Sequence, residues 1–154
     1  METMLKEAQT YIQENRNKGT QCPCCDQFAK VYKRTITSTM ARWLIELVRN
    51  YEKNPEFQSV ASSWSLDINR GTGDCAKLLY WGLVERKPLE PNSQKKSSGY
   101  WRPTQRGMDF VYDNLKVEKY ARIYNKDLLG FTGNLISIKD SLKSHFDYNE
   151  LMRR

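Results

Sequence analysis

Three of the four cysteines stand within four residues, as Cys22-Pro23-Cys24-Cys25. Thiols at Cys22-x-x-Cys25 spacing can converge on one metal ion across a tight turn, and Pro23 stiffens that turn. Tetrahedral zinc needs four ligands, and a second Cys-x-x-Cys pair is missing from the chain. Cys24, Cys75, His145 or the matching pair of a second copy are the candidates to complete the set. A turn with reduced, unmetallated thiols is the simpler expectation; a structural zinc on Cys22 and Cys25 is the alternative. A redox pair fits less well, because such pairs open a helix whose dipole acidifies the thiol, and no helix pattern follows here.

The second kind of chemistry is cationic. Residues 28–34 read as a strand in which Tyr32 is interleaved with Lys30, Lys33 and Arg34, a pattern that can hold phosphate and stack on a base. A half-exposed strand with solvated lysines is the plainer reading of the same residues. Farther on, Asn69, Arg70 and Thr72 carry side chains suited to base edges or phosphates. Lys77 follows them, Lys95 and Lys96 lie near the tip of a polar insert, and Arg102 lies on its return. Residues 70–106 hold eight basic and three acidic side chains, which is most of the chain's net charge of +7. Such an excess favours polyanions, nucleic acid first and anionic membrane second. Asp74 opposes phosphate, and capping a helix is its commoner role.

Enzymatic sets are absent from the pattern. There is no glycine loop to cradle phosphate, no His-Glu metal motif and no nucleophile elbow. The chain has 1 histidine, so triads and histidine metal clusters lack material, and His145 reads as a surface residue. Asp109 and Asp113 are spaced i,i+4 and read as a solvated helix face. The expectation is a protein that is not an enzyme.

Elements must position these groups. Residues 4–16 have helical spacing of Met4, Leu5, Ala8, Tyr11 and Ile12, a narrow stripe that packs on the body or on a second copy. Residues 37–51 form the strongest helix, capped by Thr37, Ser38 or Thr39, with Met40, Ala41, Leu44, Ile45, Leu47 and Val48 inward. Asn54-Pro55 ends it. A shorter helix is expected over 57–64. The next helix, with Cys75, Ala76 and Leu79 inward, stops at Gly82. Leu83 and Val84 begin a strand, Gly99 opens the return strand and Pro103 ends it. Thr104 caps another helix, and Gly107 in its first turn implies close approach to a neighbouring backbone. Residues 117–138 read as strands with turns at 125–127 and 132–134. A last helix begins near Ser137 with Asp140 in a capping box. The fold class is α+β. The segments are 1–36, a helix with the cysteine knuckle; 37–115, the central domain; and 116–154, a hairpin and helix appendage. No apolar run approaches the roughly 20 residues needed to cross a bilayer, and no signal-peptide pattern opens the chain; the expectation is a cytoplasmic protein with no membrane partner.

The phrases Leu79-x-x-Gly82-Leu83-Val84-Glu85-Arg86 and Pro103-Thr104-x-x-Gly107-x-x-Phe110-Val111, in that order with an insert between them, resemble the winged-helix DNA-binding domain of MarR- and PadR-type transcription regulators. The resemblance covers residues 37–115. It implies that the helix before the first phrase enters the major groove of double-stranded DNA and that the insert is the wing. It implies a homodimer reading two half-sites, through the N-terminal helix or the β-appendage. The whole chain also resembles a group of bacteriophage proteins, which implies a phage source and the host cytoplasm. The competing expectation is a winged helix that grips a host protein without binding DNA.

Overall fold

A computed structural model describes residues 2–59, 75–94 and 99–153. It is mixed α+β, built from short helices and small antiparallel sheets. Among the described residues no helix is long and apolar enough to cross a membrane. The chain divides into two units, one of residues 1–35 and 119–133, the other of residues 36–118 and 134–154. The division differs from the expected three segments. Residues 119–133 pair with the N-terminal segment, whereas the helices after residue 136 pack on the central helix, so the expected appendage is shared out.

In the first unit, helix α1 (Glu2–Asn15) is followed by a turn that closes at Gly19, whose amide donates to Asn15 O at 3.1 Å and Arg16 O at 3.2 Å. Gly19 has φ +94°, and a Cβ there would meet the Phe28 ring at 2.6 Å, so no other residue fits easily. Strands β1 (Thr20–Gln21) and β2 (Phe28–Ala29) pair antiparallel around the cysteines. The strand expected over 28–34 is divided. Buried Val31 donates its amide to Arg16 O at 2.8 Å, which turns the chain between β2 and β3 (Tyr32–Arg34). Strand β3 then pairs with β7 (Val117–Tyr124). Asn125 and Lys126, with φ +49° and +69°, make the two-residue turn that matches strand twist into β8 (Asp127–Ile136). The turn expected at 132–134 does not form. Strand β8 runs through it because Gly133, at φ +87°, lets the backbone lie 3.0 Å, measured from its would-be Cβ, from the Tyr120 ring. The sheet order is β3-β7-β8.

The second unit is organised on helix α2 (Ser38–Lys53). Thr37 Oγ1 accepts from Met40 N at 3.2 Å, and Met40 Sδ accepts from Thr37 N at 3.4 Å, a reciprocal cap that spares two of the orphan amides. Met40, Ala41, Trp43, Leu44, Ile45, Leu47 and Val48 are buried. Each large aliphatic among them is worth about 1.5–3 kcal/mol on burial, so this stripe dominates the core. The helix ends at Asn54.

The helix expected from residue 57 does not begin there. Gln58 and Ser59 form strand β4, because Gln58 Nε2 donates to Leu47 O at 3.1 Å and the backbone pairs with Trp101 and Tyr100. Residues 60–64 lie outside the described residues. Ala76–Trp81 winds as a 3-10 helix. Its period of three puts Cys75, Leu78 and Trp81 in the core, so Ala76 and Leu79, expected inward, are only half-buried. Gly82 stops it in the left-handed conformation, φ +71°.

Strands β5 (Val84–Arg86) and β6 (Tyr100–Pro103) pair antiparallel, giving the order β4-β6-β5. Thr104 caps α3 (Gln105–Val111) by accepting from Gly107 N at 3.1 Å. A Cβ on Gly107 would lie 2.0 Å from Leu83 O, the close approach the sequence implied. Helix α4 (Ile138–Leu142) starts with the Ser137/Asp140 capping box, and α5 (Tyr148–Arg153) completes the chain; both pack on α2.

Gly107→Ala should therefore cost about 1–3 kcal/mol, the penalty of overpacking, and lower the thermal midpoint by several degrees. Gln105→Ala, on the exposed side of the same helix, should stay within about 0.5 kcal/mol. A thermal melt followed by circular dichroism checks both.

Candidate nucleic-acid interface

The hairpin β5–β6 is built by three cross-strand devices. Glu85 and Arg102 are register partners, and Arg102 Nε donates to Glu85 Oε1. The Arg102 guanidinium also lies 4.4 Å from the centre of the Phe57 ring. Arg86 faces buried Trp101, its register partner, at 5.1 Å, and Lys87 lies 5.5 Å from the Tyr100 ring. Lys87 N donates to Tyr100 O at 2.9 Å, continuing the ladder past β5. Trp101 in turn meets Trp43 edge-on, with centroids 6.2 Å apart, a favoured aromatic geometry. The core thus fixes Trp101, and Trp101 fixes a cation on the outer surface.

Two of the expected contact residues fall among those described, one of them on this hairpin. Arg102 is there, but Glu85 offsets its charge. Lys77 lies half-buried on the 3-10 helix. Asn69, Arg70, Thr72, Lys95 and Lys96 lie outside the described residues. Arg86 and Lys87, exposed at the base of the connection 87–99, were not singled out from sequence. Their signal was the basic–aromatic pairing across the hairpin, which is visible only once the register is known. No carboxylate pair forms in this unit from Asp109 and Asp113. Asp109 Oδ1 accepts from Gln105 Nε2 at 3.0 Å, whereas Asp113 Oδ2 faces Lys139 Nζ at 3.9 Å.

The cysteines occupy the turn between β1 and β2. Cys22 N donates to Gln27 O at 2.7 Å, and Asp26 N donates to Cys22 O at 2.9 Å. The backbone amides of Cys24 and then Cys25 donate toward the Cys22 sulfur, and the Cys25 side chain adds to them; together they hold the Cys22 pKa below that of an ordinary thiol, against burial and Asp26. This is the donor arrangement that a metal-bound thiolate uses. Cys22 and Cys25 can supply two ligands. Among the described residues no group of three His, Cys, Asp or Glu side chains is placed to hold a metal ion. Cys75 is 1% exposed in the core, and His145 is exposed between α4 and α5.

In the first unit, Asn17, Lys30, Val31, Tyr32, Lys33, Arg122 and Thr132 line a cleft of about 620 Å³. The sequence placed Lys30, Tyr32 and Lys33 together; it gave no sign that Arg122 joins them.

Because its thiolate is stabilised, Cys22 should become reactive toward iodoacetamide at a lower pH than a free thiol. Buried Cys75 should stay unmodified until the protein unfolds. Peptide mass spectrometry across a pH series checks both.

Compared with protein-family models, with curated proteins and with solved structures, the chain matches none.

Proposed function

We propose that the second unit is a winged-helix module that binds double-stranded DNA, as a phage-type transcription regulator. The observation that carries this reading is the order of elements. Helix α2 is followed by strand β4; then, after residues 60–74, come the 3-10 helix, β5, a long connection and β6, with β6 central between β4 and β5. In a winged helix the first strand returns to the outer side of the last in this way, and the connection between the second and third is the wing. Arg86 and Lys87 at its base, with Lys95 and Lys96 near its tip, would meet phosphates beside the groove that the preceding helix enters. Homodimerisation would align two copies on two half-sites. The exposed Met4, Leu5 and Tyr11 of α1, or Leu128, Leu129 and Leu135 of β8, offer apolar surface for it.

The competing reading, a module that grips a host protein, draws on the exposure of Leu89 and Tyr100 on the same hairpin.

A salt series of duplex-DNA binding by fluorescence anisotropy separates the two. Affinity should fall steeply with salt, and Lys95→Ala/Lys96→Ala should flatten the log–log slope by about 1.8, the share of two phosphate contacts. Absence of duplex binding at low salt would favour the protein partner.

A further inference from the structure

We propose that the cleft on the β3–β7 face of the first unit binds single-stranded nucleic acid, with Lys30, Lys33 and Arg122 holding phosphates and Tyr120, on the same face beside them, taking a base. This goes beyond the duplex reading and uses a different unit of the chain.

Lys33 and Arg122 are register partners on adjacent antiparallel strands, so their side chains leave the same face side by side. Like charges directly opposite each other destabilise a sheet. Here the repulsion is left uncompensated: Arg122 Nη2 donates to the neutral Asn17 Oδ1 at 3.1 Å, and no carboxylate lines the cleft. Asn17 therefore orients the guanidinium without cancelling its charge, an arrangement that suits an anionic ligand. Thr132 lines the same cleft.

The aromatic half of the argument comes from strand alternation. Tyr120 and Arg122 fall on one face of β7, while Ala121 and Ile123 between and beyond them are buried. Lys33 Nζ lies 6.0 Å from the centre of the Tyr120 ring. Tyr120 thus has a cation beside it, the combination on which an unpaired base stacks while its phosphate is neutralised. The cleft, at about 620 Å³, falls within the roughly 300–1,000 Å³ range of pockets that take small ligands. A duplex keeps its bases stacked inside and could offer this face only its backbone. The unit as a whole has nine basic against five acidic residues, so the surrounding field has the right sign.

The test is anisotropy of a fluorescein-labelled oligothymidylate with the full chain over a salt series. Three neutralised phosphates give a log–log slope of roughly −2. Lys33→Ala/Arg122→Ala should weaken binding roughly tenfold or more and reduce the slope to roughly −0.7, while its thermal midpoint without ligand should not fall, since an opposed pair of cations has been removed. Tyr120→Leu should weaken binding roughly fivefold or more and leave the slope in place. Lys6→Ala/Lys18→Ala removes the same charge from the same unit outside the cleft and should leave affinity and slope near their starting values. The proposal is overturned if oligothymidylate does not bind, if the Lys33/Arg122 variant binds as well as the parent, or if a duplex of equal length binds as tightly with the same dependence on Lys33 and Arg122.

Discussion

Helix α3 is pressed against the backbone of Leu83, just before the first strand of the hairpin, and the second unit depends on that contact. Thr104 does three jobs at once. Its Oγ1 caps Gly107 N at 3.1 Å and donates to Gly82 O at 2.5 Å, and its amide donates to Leu83 O at 3.0 Å. Gly107 then lies where any Cβ would overlap Leu83 O. These bonds tie the end of the 3-10 helix, the start of β5 and the end of β6 to one helix terminus. With both ends of the hairpin clamped there, the connection 87–99 must leave from the far end of β5 and β6. The contact that closes the core therefore also sets where the polar insert emerges.

Outward from that clamp, cations are held by rings rather than left to solvent. Arg86 on Trp101, Lys87 on Tyr100 and Arg102 on Phe57 repeat the device along one hairpin. Such contacts are worth about 0.5–1 kcal/mol at exposed sites, too little to build a fold. They are enough to narrow the rotamers of long side chains, whose free sampling costs entropy whenever a ligand must be gripped. Trp101 links the two scales, since it packs perpendicular to Trp43 in the core while its ring carries Arg86.

Local signals were legible in the sequence and non-local ones were not. Thr37 (one of three candidates), Thr104 and Ser137 as caps, Gly82 as a stop, and Gly107 as a close approach each depend on a few adjacent residues and a steric rule, and each is found in place. The strand at Gln58–Ser59 could not be read, because it exists through pairing with β6, more than 40 residues away. The break at Lys30–Val31 depends on Arg16, and the partner of β3 lies beyond residue 116. The hairpin β7–β8 was legible in its Asn125-Lys126 turn but not in its length, because Gly133 resembles a turn residue and is instead the space that Tyr120 fills. The site followed the same division. Lys30, Tyr32 and Lys33 could be grouped because they are neighbours in the chain, whereas Arg122 and Thr132 reach them only through sheet order.

Counting charge along the chain and counting it in space then lead to different places. The window 70–106 holds most of the net charge, yet one of its cations, Arg102, faces Glu85 across the hairpin. An arginine so paired is already satisfied, and an incoming phosphate must compete with a carboxylate for it. Arg122 is the contrary case. Its partner is an amide that accepts one hydrogen bond and contributes no charge, and its opposite number in the neighbouring strand is a lysine. The difference between the two arginines cannot be seen in any composition window, since both belong to basic stretches. It resides in the register of two short antiparallel pairs, which places a glutamate opposite one arginine and a lysine opposite the other. Where the fold leaves positive charge uncancelled at the expense of its own stability, an anion has most to gain by binding.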